Sequence, residues 1–338
     1  MARDPRARPS AGSDMSSRQT LRKGNPFQNL RAELYREIGK AVVGQREVVD
    51  LVIAALTVSG HILIEGVPGV AKTLLANALA RSMAVEFRRV QFTVDTLPGD
   101  IIGSMEPGVD GPYLRRGPVF SNVLLADEIN RTMPKTQSAL LEAMQERQVT
   151  IGGRSHPLPD PFLVVATQNP AAHEATFSLP EAQLDRFLFR IDMGYPSVAD
   201  EVAILEKAHR GVIPSTLDDV RPVLIAGDLL DARQLVDATH VSHEVTRYVA
   251  ELTRATRTLE GVALGASPRA AVHLLAAAKA AARLAGRDFT TPEDVRAMAR
   301  PVLAHRLVLE PRARARGAAN AVGAVLQGVQ PPALERRS

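Results

Sequence analysis

Short apolar runs recur along the first half of the chain, at 61–65, 123–126, 162–167 and 187–191. Each is nearly continuous and too short for a helix, which is the pattern of strands covered on both faces. A further segment, 87–92, alternates apolar with polar residues and predicts a strand of period two. Amphipathic stretches predict helices over 28–40, 46–59, 74–81 and 134–146, with a short one over 180–185. After Tyr195-Pro196-Ser197 only helices are predicted: 199–210, 226–240, 242–258, 268–286 and 292–309. Ser267-Pro268 and Thr291-Pro292-Glu293-Asp294 are helix starts. Strands interleaved with helices, followed by helices alone, predict an α/β unit over 27–195 and a smaller all-α unit over 196–310.

Two stretches break the rhythm. Residues 148–158 read as a hairpin turning at Gly152-Gly153. Residues 93–118 are rich in Gly and Pro, too long for an idle connection, and predict an ordered, exposed loop.

Composition narrows the function classes. The 338 residues include no Cys, so disulfides, thiolate metal sites and a Cys nucleophile are excluded. No apolar run approaches the roughly 20 residues of a membrane span, and no apolar leader opens the chain, so it reads as cytoplasmic. The net charge of +4 is unevenly placed: residues 1–24 and 311–338 each carry +4, leaving the body at −4. The two ends are expected to be disordered basic tails. An acidic body argues against nucleic acid as the partner.

The chemistry centres on Gly66-Val67-Pro68-Gly69-Val70-Ala71-Lys72-Thr73, which follows a predicted strand and leads through Leu74 into a helix. In that context backbone N–H groups and a helix N-terminus cradle phosphate. Lys72 would reach the β- and γ-phosphates and Thr73 would hold Mg²⁺. Ala71 stands where the general motif has Gly, which is tolerable if its φ is negative. The strand over 123–126 delivers Asp127 and Glu128 to its C-terminal end, where open α/β sheets bind ligands. Asp127 would hold Mg²⁺ through water, and Glu128 would orient or deprotonate the attacking water. Asn169 ends another strand at the same edge, either facing the γ-phosphate or forming a turn before Pro170. Gly44 and Gln45 either cover an adenine or simply turn between two helices. Arg186 is either a finger reaching a neighbour's nucleotide or a surface ion-pair partner. Arg269 sits in the first turn of a helix, where the dipole disfavours a cation and a bound phosphate would relieve it.

Taken together, Gly66 to Thr73, Leu125-Ala-Asp-Glu-Ile-Asn-Arg131, the run from Lys135 to Gly153, Ala166-Thr-Gln-Asn-Pro170 and Leu179-Pro-Glu-Ala-Gln-Leu-Asp-Arg-Phe187 resemble the MoxR family of AAA+ ATPases over about residues 28–310. The resemblance implies an αβα domain with a five-stranded parallel sheet, an α-helical lid, and a ring of subunits, six by analogy, with ATP and Mg²⁺ between them. It implies that Lys72 and Thr73 are the Walker A pair, Asp127 and Glu128 the Walker B pair, Asn169 sensor 1 and Arg269 sensor 2. Arg186 would be the arginine finger, with Arg131 a rival. Gly44 and Gln45 would lie on the adenine side. Residues 93–118 would be the helix-2 insert, and 148–158 the hairpin before sensor 1. The implied activity is ATP hydrolysis coupled to remodelling or maturation of client protein complexes, with a von Willebrand factor A domain protein as partner. Two other readings stay open from the residues: a nucleic-acid-remodelling motor, and an ATP-binding switch with negligible turnover.

Overall fold

In the computed structural model, which describes residues 26–67, 69–169, 176–209 and 217–332, the predicted strands pair side by side in one direction. Two helices, α1 (Pro26–Ala41) and α2 (Arg46–Thr57), precede β1 (Ile62–Gly66). Then come α3 (Lys72–Arg81), β2 (Met83–Ala84), β3 (Phe87–Gln91), α4 (Pro98–Ile102), β4 (Gly103–Glu106) and β5 (Tyr113–Arg116). The core closes with β6 (Val123–Asp127), α5 (Pro134–Glu146), β7 (Gln148–Ile151), β8 (Arg154–Pro157), β9 (Leu163–Gln168), α6 (Glu181–Leu184) and β10 (Phe189–Met193). Strands β10-β1-β9-β6-β3 form a five-stranded sheet, all pairs parallel.

Alternation across the pleat makes the sandwich. Ile62, Ile64, Val123, Leu125, Leu163 and Val165 join the apolar cluster of α1, α2 and α3. Their neighbours Leu63, Leu124, Ala126, Val164 and Ala166 join a second cluster with α5. Each strand therefore buries both faces, which is why its sequence is a continuous apolar run.

Beyond β10 follow α7 (Val198–His209), β11 (Leu224–Ile225), α8 (Ala226–Asp237), α9 (His243–Thr258), β12 (Val262–Leu264), α10 (Pro268–Leu284), α11 (Pro292–Leu303), β13 (Val308–Leu309) and α12 (Ala318–Gly328). Ser242, Ser267 and Thr291 cap α9, α10 and α11 through their hydroxyls. Among the described residues no helix is long and apolar enough to cross a membrane.

Three expectations need correction. Part of the expected C-terminal tail is helical: α12 buries Val322 and Val325 against the preceding helices. Its small apolar residues suffice to dock it, whatever charge flanks it. The stretch 93–118 is no plain loop but α4 followed by the antiparallel pair β4–β5, in which Gly103 faces Arg116 and Glu106 faces Tyr113. The last predicted helix stops at Leu303 and continues as a 3₁₀ turn and β13. The expected N-terminal tail up to residue 25, and residues 333–338, lie outside the described residues.

His61 pins the lower end of the sheet. Its Nε2 donates to the Met144 carbonyl at 3.1 Å, and its Nδ1 accepts from the Val164 N–H at 3.0 Å. Nδ1 can accept only while unprotonated, so the ring must stay neutral. Burial, with Arg147 nearby, pushes its pKa down from 6.5 to about 3. Burial likewise takes His273 down to about 4, with Arg306 assisting. Between those values and 6.5 the unfolded chain binds more protons than the folded one, so stability rises with pH there. Each such histidine removes about 1.4 kcal/mol per pH unit as pH falls below 6.5. The urea midpoint should therefore drop between pH 7 and pH 5, and less steeply for His61→Gln. A flat midpoint over that range would contradict the neutral-histidine account.

Candidate functional site

The loop between β1 and α3 is built by backbone constraints. A Cβ on Gly66 would stand 2.5 Å from the Met193 carbonyl, so the end of β1 lies too close to β10 for any side chain. Gly69 has φ 87°, in the region glycine favours. Ala71, by contrast, corrects an expectation: its φ is +63° with ψ 24°, left-handed where a negative φ was expected. The carbonyl of Ala71 accepts the first helical bond of α3, from Leu75 at 2.9 Å. The chain must swing from strand to helix at that residue, and a methyl there costs roughly 1–2 kcal/mol. Val70 is buried beneath the loop, and Val67 and Leu74 pack partly on the same cluster. Pro68 lies outside the described residues.

The amine of Lys72 folds back over the loop, donating to the Gly66 carbonyl and, at 3.2 Å, to that of Gln168. Partial burial lowers its pKa, against the opposing pull of Asp127, Glu128 and Glu65. Thr73 Oγ1 donates to Asp127 Oδ2 at 3.1 Å. Asp127 is almost fully buried at the end of β6. Thr167 Oγ1 donates to its Oδ1 at 2.5 Å, and Arg89 to its Oδ2 at 2.8 Å.

Glu128 is left-handed as well, with φ 58° and ψ 49°. Its N–H donates to Thr167 Oγ1 at 3.0 Å, which fixes the turn that presents the carboxylate. That carboxylate accepts from Gln91 Nε2 at 2.8 Å and from Arg131 at 3.0 Å. Asn169 follows β9 at the same edge, its carbonyl accepting from Asn130 Nδ2 at 3.3 Å. Gly44 and Gln45 form the turn between α1 and α2, with φ 72° and 61°.

This donor set fits a nucleotide and a hard cation. A hydroxyl and a carboxylate oxygen stand within hydrogen-bond reach of each other beside a lysine at a helix N-terminus. Among the described residues no three His, Cys, Asp or Glu side chains cluster as a metal cage, so a cation here would take its remaining ligands from phosphate and water.

The structure brings Lys72, Thr73, Asp127, Glu128 and Asn169 to one edge of the sheet. Arg186 and Arg269 lie elsewhere. Both line an open cavity with Gly60, His61, Gln145 and Arg147, at the N-terminal end of β1. Arg186 donates to Gln145 Oε1 at 3.0 Å. Arg269 is exposed and makes no hydrogen bond or ion pair among the described residues. Five strand residues, about 16 Å, separate that edge from Lys72.

No sequence pattern marks Arg89, Gln91 and Thr167 as part of the site. The only signal was register: β3 and β9 flank β6, and Gln91 and Thr167 end beside Asp127. Thr167→Val keeps the shape and removes the hydroxyl that serves both acids. It should lower unfolding free energy by about 1–3 kcal/mol, read by chemical denaturation. A change below about 0.5 kcal/mol would deny the hydroxyl its role.

Residues 61–189 match the ATPase family associated with various cellular activities (AAA), and residues 254–325 match the AAA lid domain. The chain is 46% identical to Chaperone MoxR1 of Mycobacterium tuberculosis over 284 residues, 81% of this chain and 74% of that protein. It is 35% identical to Protein MoxR of Methylorubrum extorquens, over 86% of this chain and 92% of that one. The crystal structure of a putative ATPase from Cytophaga hutchinsonii superposes with a TM-score of 0.83 at 39% identity, covering 94% of this chain and all of that one. With a parallel five-stranded core, a tight loop leading from β1 into α3 at its C-terminal edge and a match to the AAA lid domain after it, the chain belongs to the MoxR family of AAA+ ATPases.

Proposed function

We propose that the chain hydrolyses ATP between neighbouring subunits of a ring, six by family analogy, and uses that cycle to remodel client protein complexes. The observation that carries the first part is the division of groups between the two sheet edges. Lys72 and Thr73 would bind the phosphates, with the loop N–H groups of 67–71 and the start of α3 around them. Thr73 and Asp127 would hold Mg²⁺, which when bound spreads the charge of the β- and γ-phosphates. Glu128 would polarise the attacking water, and Asn169 would orient it or the γ-phosphate. Gly44 and Gln45 would line the adenine side.

Phosphoryl transfer is accelerated mainly by positioning and by cations placed where charge develops. The edge that holds Lys72 has Arg89 and Arg131, but both already answer its own carboxylates. Arg131 therefore fits the trans role less well than Arg186. Arg186 and Arg269 face an open cavity that no carboxylate lines. A span of about 16 Å puts this chain's own nucleotide out of their reach. A neighbour's nucleotide, docked against that face, is within it. Hydrolysis then depends on assembly.

The remodelling role is supported by one relative's name, Chaperone MoxR1, and by a body of the chain that is acidic rather than basic. Partner choice, a von Willebrand factor A domain protein by analogy, is part of the same proposal.

Arg186→Ala should leave ATP affinity within a few-fold of wild type and cut steady-state hydrolysis by roughly 10³ or more. Equilibrium titration with a fluorescent ATP analogue and a coupled phosphate-release assay read the two quantities separately. Near-normal turnover would remove Arg186 from the reaction.

A further inference from the structure

The proposed trans-acting arginines share a support that the reaction itself does not use. Arg306 lies in the 3₁₀ turn after α11, and its side chain is 1% exposed. A guanidinium so deep is tolerated only if its donors are met. Its Nε donates to Asp185 Oδ1 at 2.8 Å. Its two Nη groups donate to the carbonyls of Phe187 at 2.6 Å, of Asp185 at 3.3 Å and of Leu188 at 3.3 Å, and to that of Val302. Those first three carbonyls bracket Arg186 on both sides. His305 adds a donor to the Phe187 carbonyl at 3.1 Å.

The same knot reaches the second arginine. One Nη of Arg306 also donates to His273 Nδ1 at 2.6 Å, and His273 sits one turn after Arg269 on α10. Asp185, in turn, accepts from Ser267 Oγ at 3.2 Å, and Ser267 is the residue that caps α10 and precedes Pro268-Arg269. Thus one buried cation fixes the backbone on both sides of Arg186 and, through His273 and Asp185, the first turn that carries Arg269.

We propose that Arg306, paired with Asp185, is a positioning residue for the arginine edge: it holds Arg186 and Arg269 as one rigid unit so that both meet a neighbouring subunit's nucleotide together. This rests on the proposed trans role of those arginines. Arg306 itself is buried beside the start of β10, at the end of the sheet opposite the Lys72 loop. Its loss should therefore leave ATP binding at the chain's own loop intact and lower turnover alone. Misplacing a charge-stabilising group by about 1 Å costs about 10²-fold, which is the expected fall in kcat for Arg306→Met. Arg306→Lys restores the charge without the planar fork, so it should recover only a small part.

Subunit mixing separates positioning from general damage. Glu128→Gln spoils a subunit's own site but keeps its arginine edge. Arg186→Ala and Arg306→Met should do the reverse. Each variant is assayed alone for phosphate release, then mixed in equal amounts with Glu128→Gln. The proposal expects three nearly inactive proteins and recovered turnover in both mixtures, because sites joining an intact loop to an intact edge reform. Recovery with Arg186→Ala but none with Arg306→Met overturns the proposal while the trans reading stands. No recovery with Arg186→Ala overturns the trans reading, and the proposal with it. Wild-type turnover by Arg306→Met alone also overturns it. Asp185→Asn keeps side-chain volume at a partly exposed position and goes through the same mixing. If Arg306→Met fails to fold, that variant decides the outcome by the same criteria.

Discussion

The length of a five-residue strand governs this molecule. About 16 Å of β1 separate the loop that carries Lys72 from the cavity that carries Arg186 and Arg269. All five strands run the same way, so every strand end with a carboxylate or amide falls on one edge, and every strand start on the other. A single chain cannot fold one edge onto the other without breaking a sheet whose both faces are buried. On the proposed reading, that rigidity is the reason hydrolysis needs a second copy: the missing cations arrive with the neighbour.

Local strain marks several of the turns around the sheet. Ala71 precedes Lys72, Glu128 is itself one of the acids, and Arg147 ends α5 before the β7–β8 hairpin. All three are left-handed without being glycine. Each costs on the order of 1–2 kcal/mol and persists because its surroundings leave no alternative. For Glu128 the restraint is visible, since Thr167 binds its N–H and the Asp127 carboxylate with one hydroxyl. Arg147 is held by the carbonyls of Ser59 and Phe162. On the opposite edge Arg306 plays the corresponding part with carbonyls instead of a hydroxyl.

Much of this is legible in the sequence itself. Strands buried on both faces write themselves as unbroken apolar runs, so β1, β6, β9 and β10 could be found, and with them the residues at their ends. What stayed hidden depends on partners distant in sequence. The charged residues of β3 look like a solvated edge strand until its register beside β6 sets Arg89 and Gln91 on the two acids. The β4–β5 pair has four-residue strands in a Gly- and Pro-rich stretch, and only mutual pairing makes them strands. Helix α12 is masked in the sequence, because the arginines on either side of it outweigh its Ala and Val. The sign of φ at Ala71 is a property of the turn, not of the residue. Arg269 was legible as a misplaced cation, but which edge it faced was not.

The most direct test of the central claim is mass by light scattering with and without ATP, with phosphate release read on the same samples over a dilution series. The account predicts that ATP promotes a closed assembly and that activity per subunit falls as dilution dissolves it. A protein that stays monomeric and hydrolyses ATP at full rate would contradict it, since the active site would then be complete within one chain.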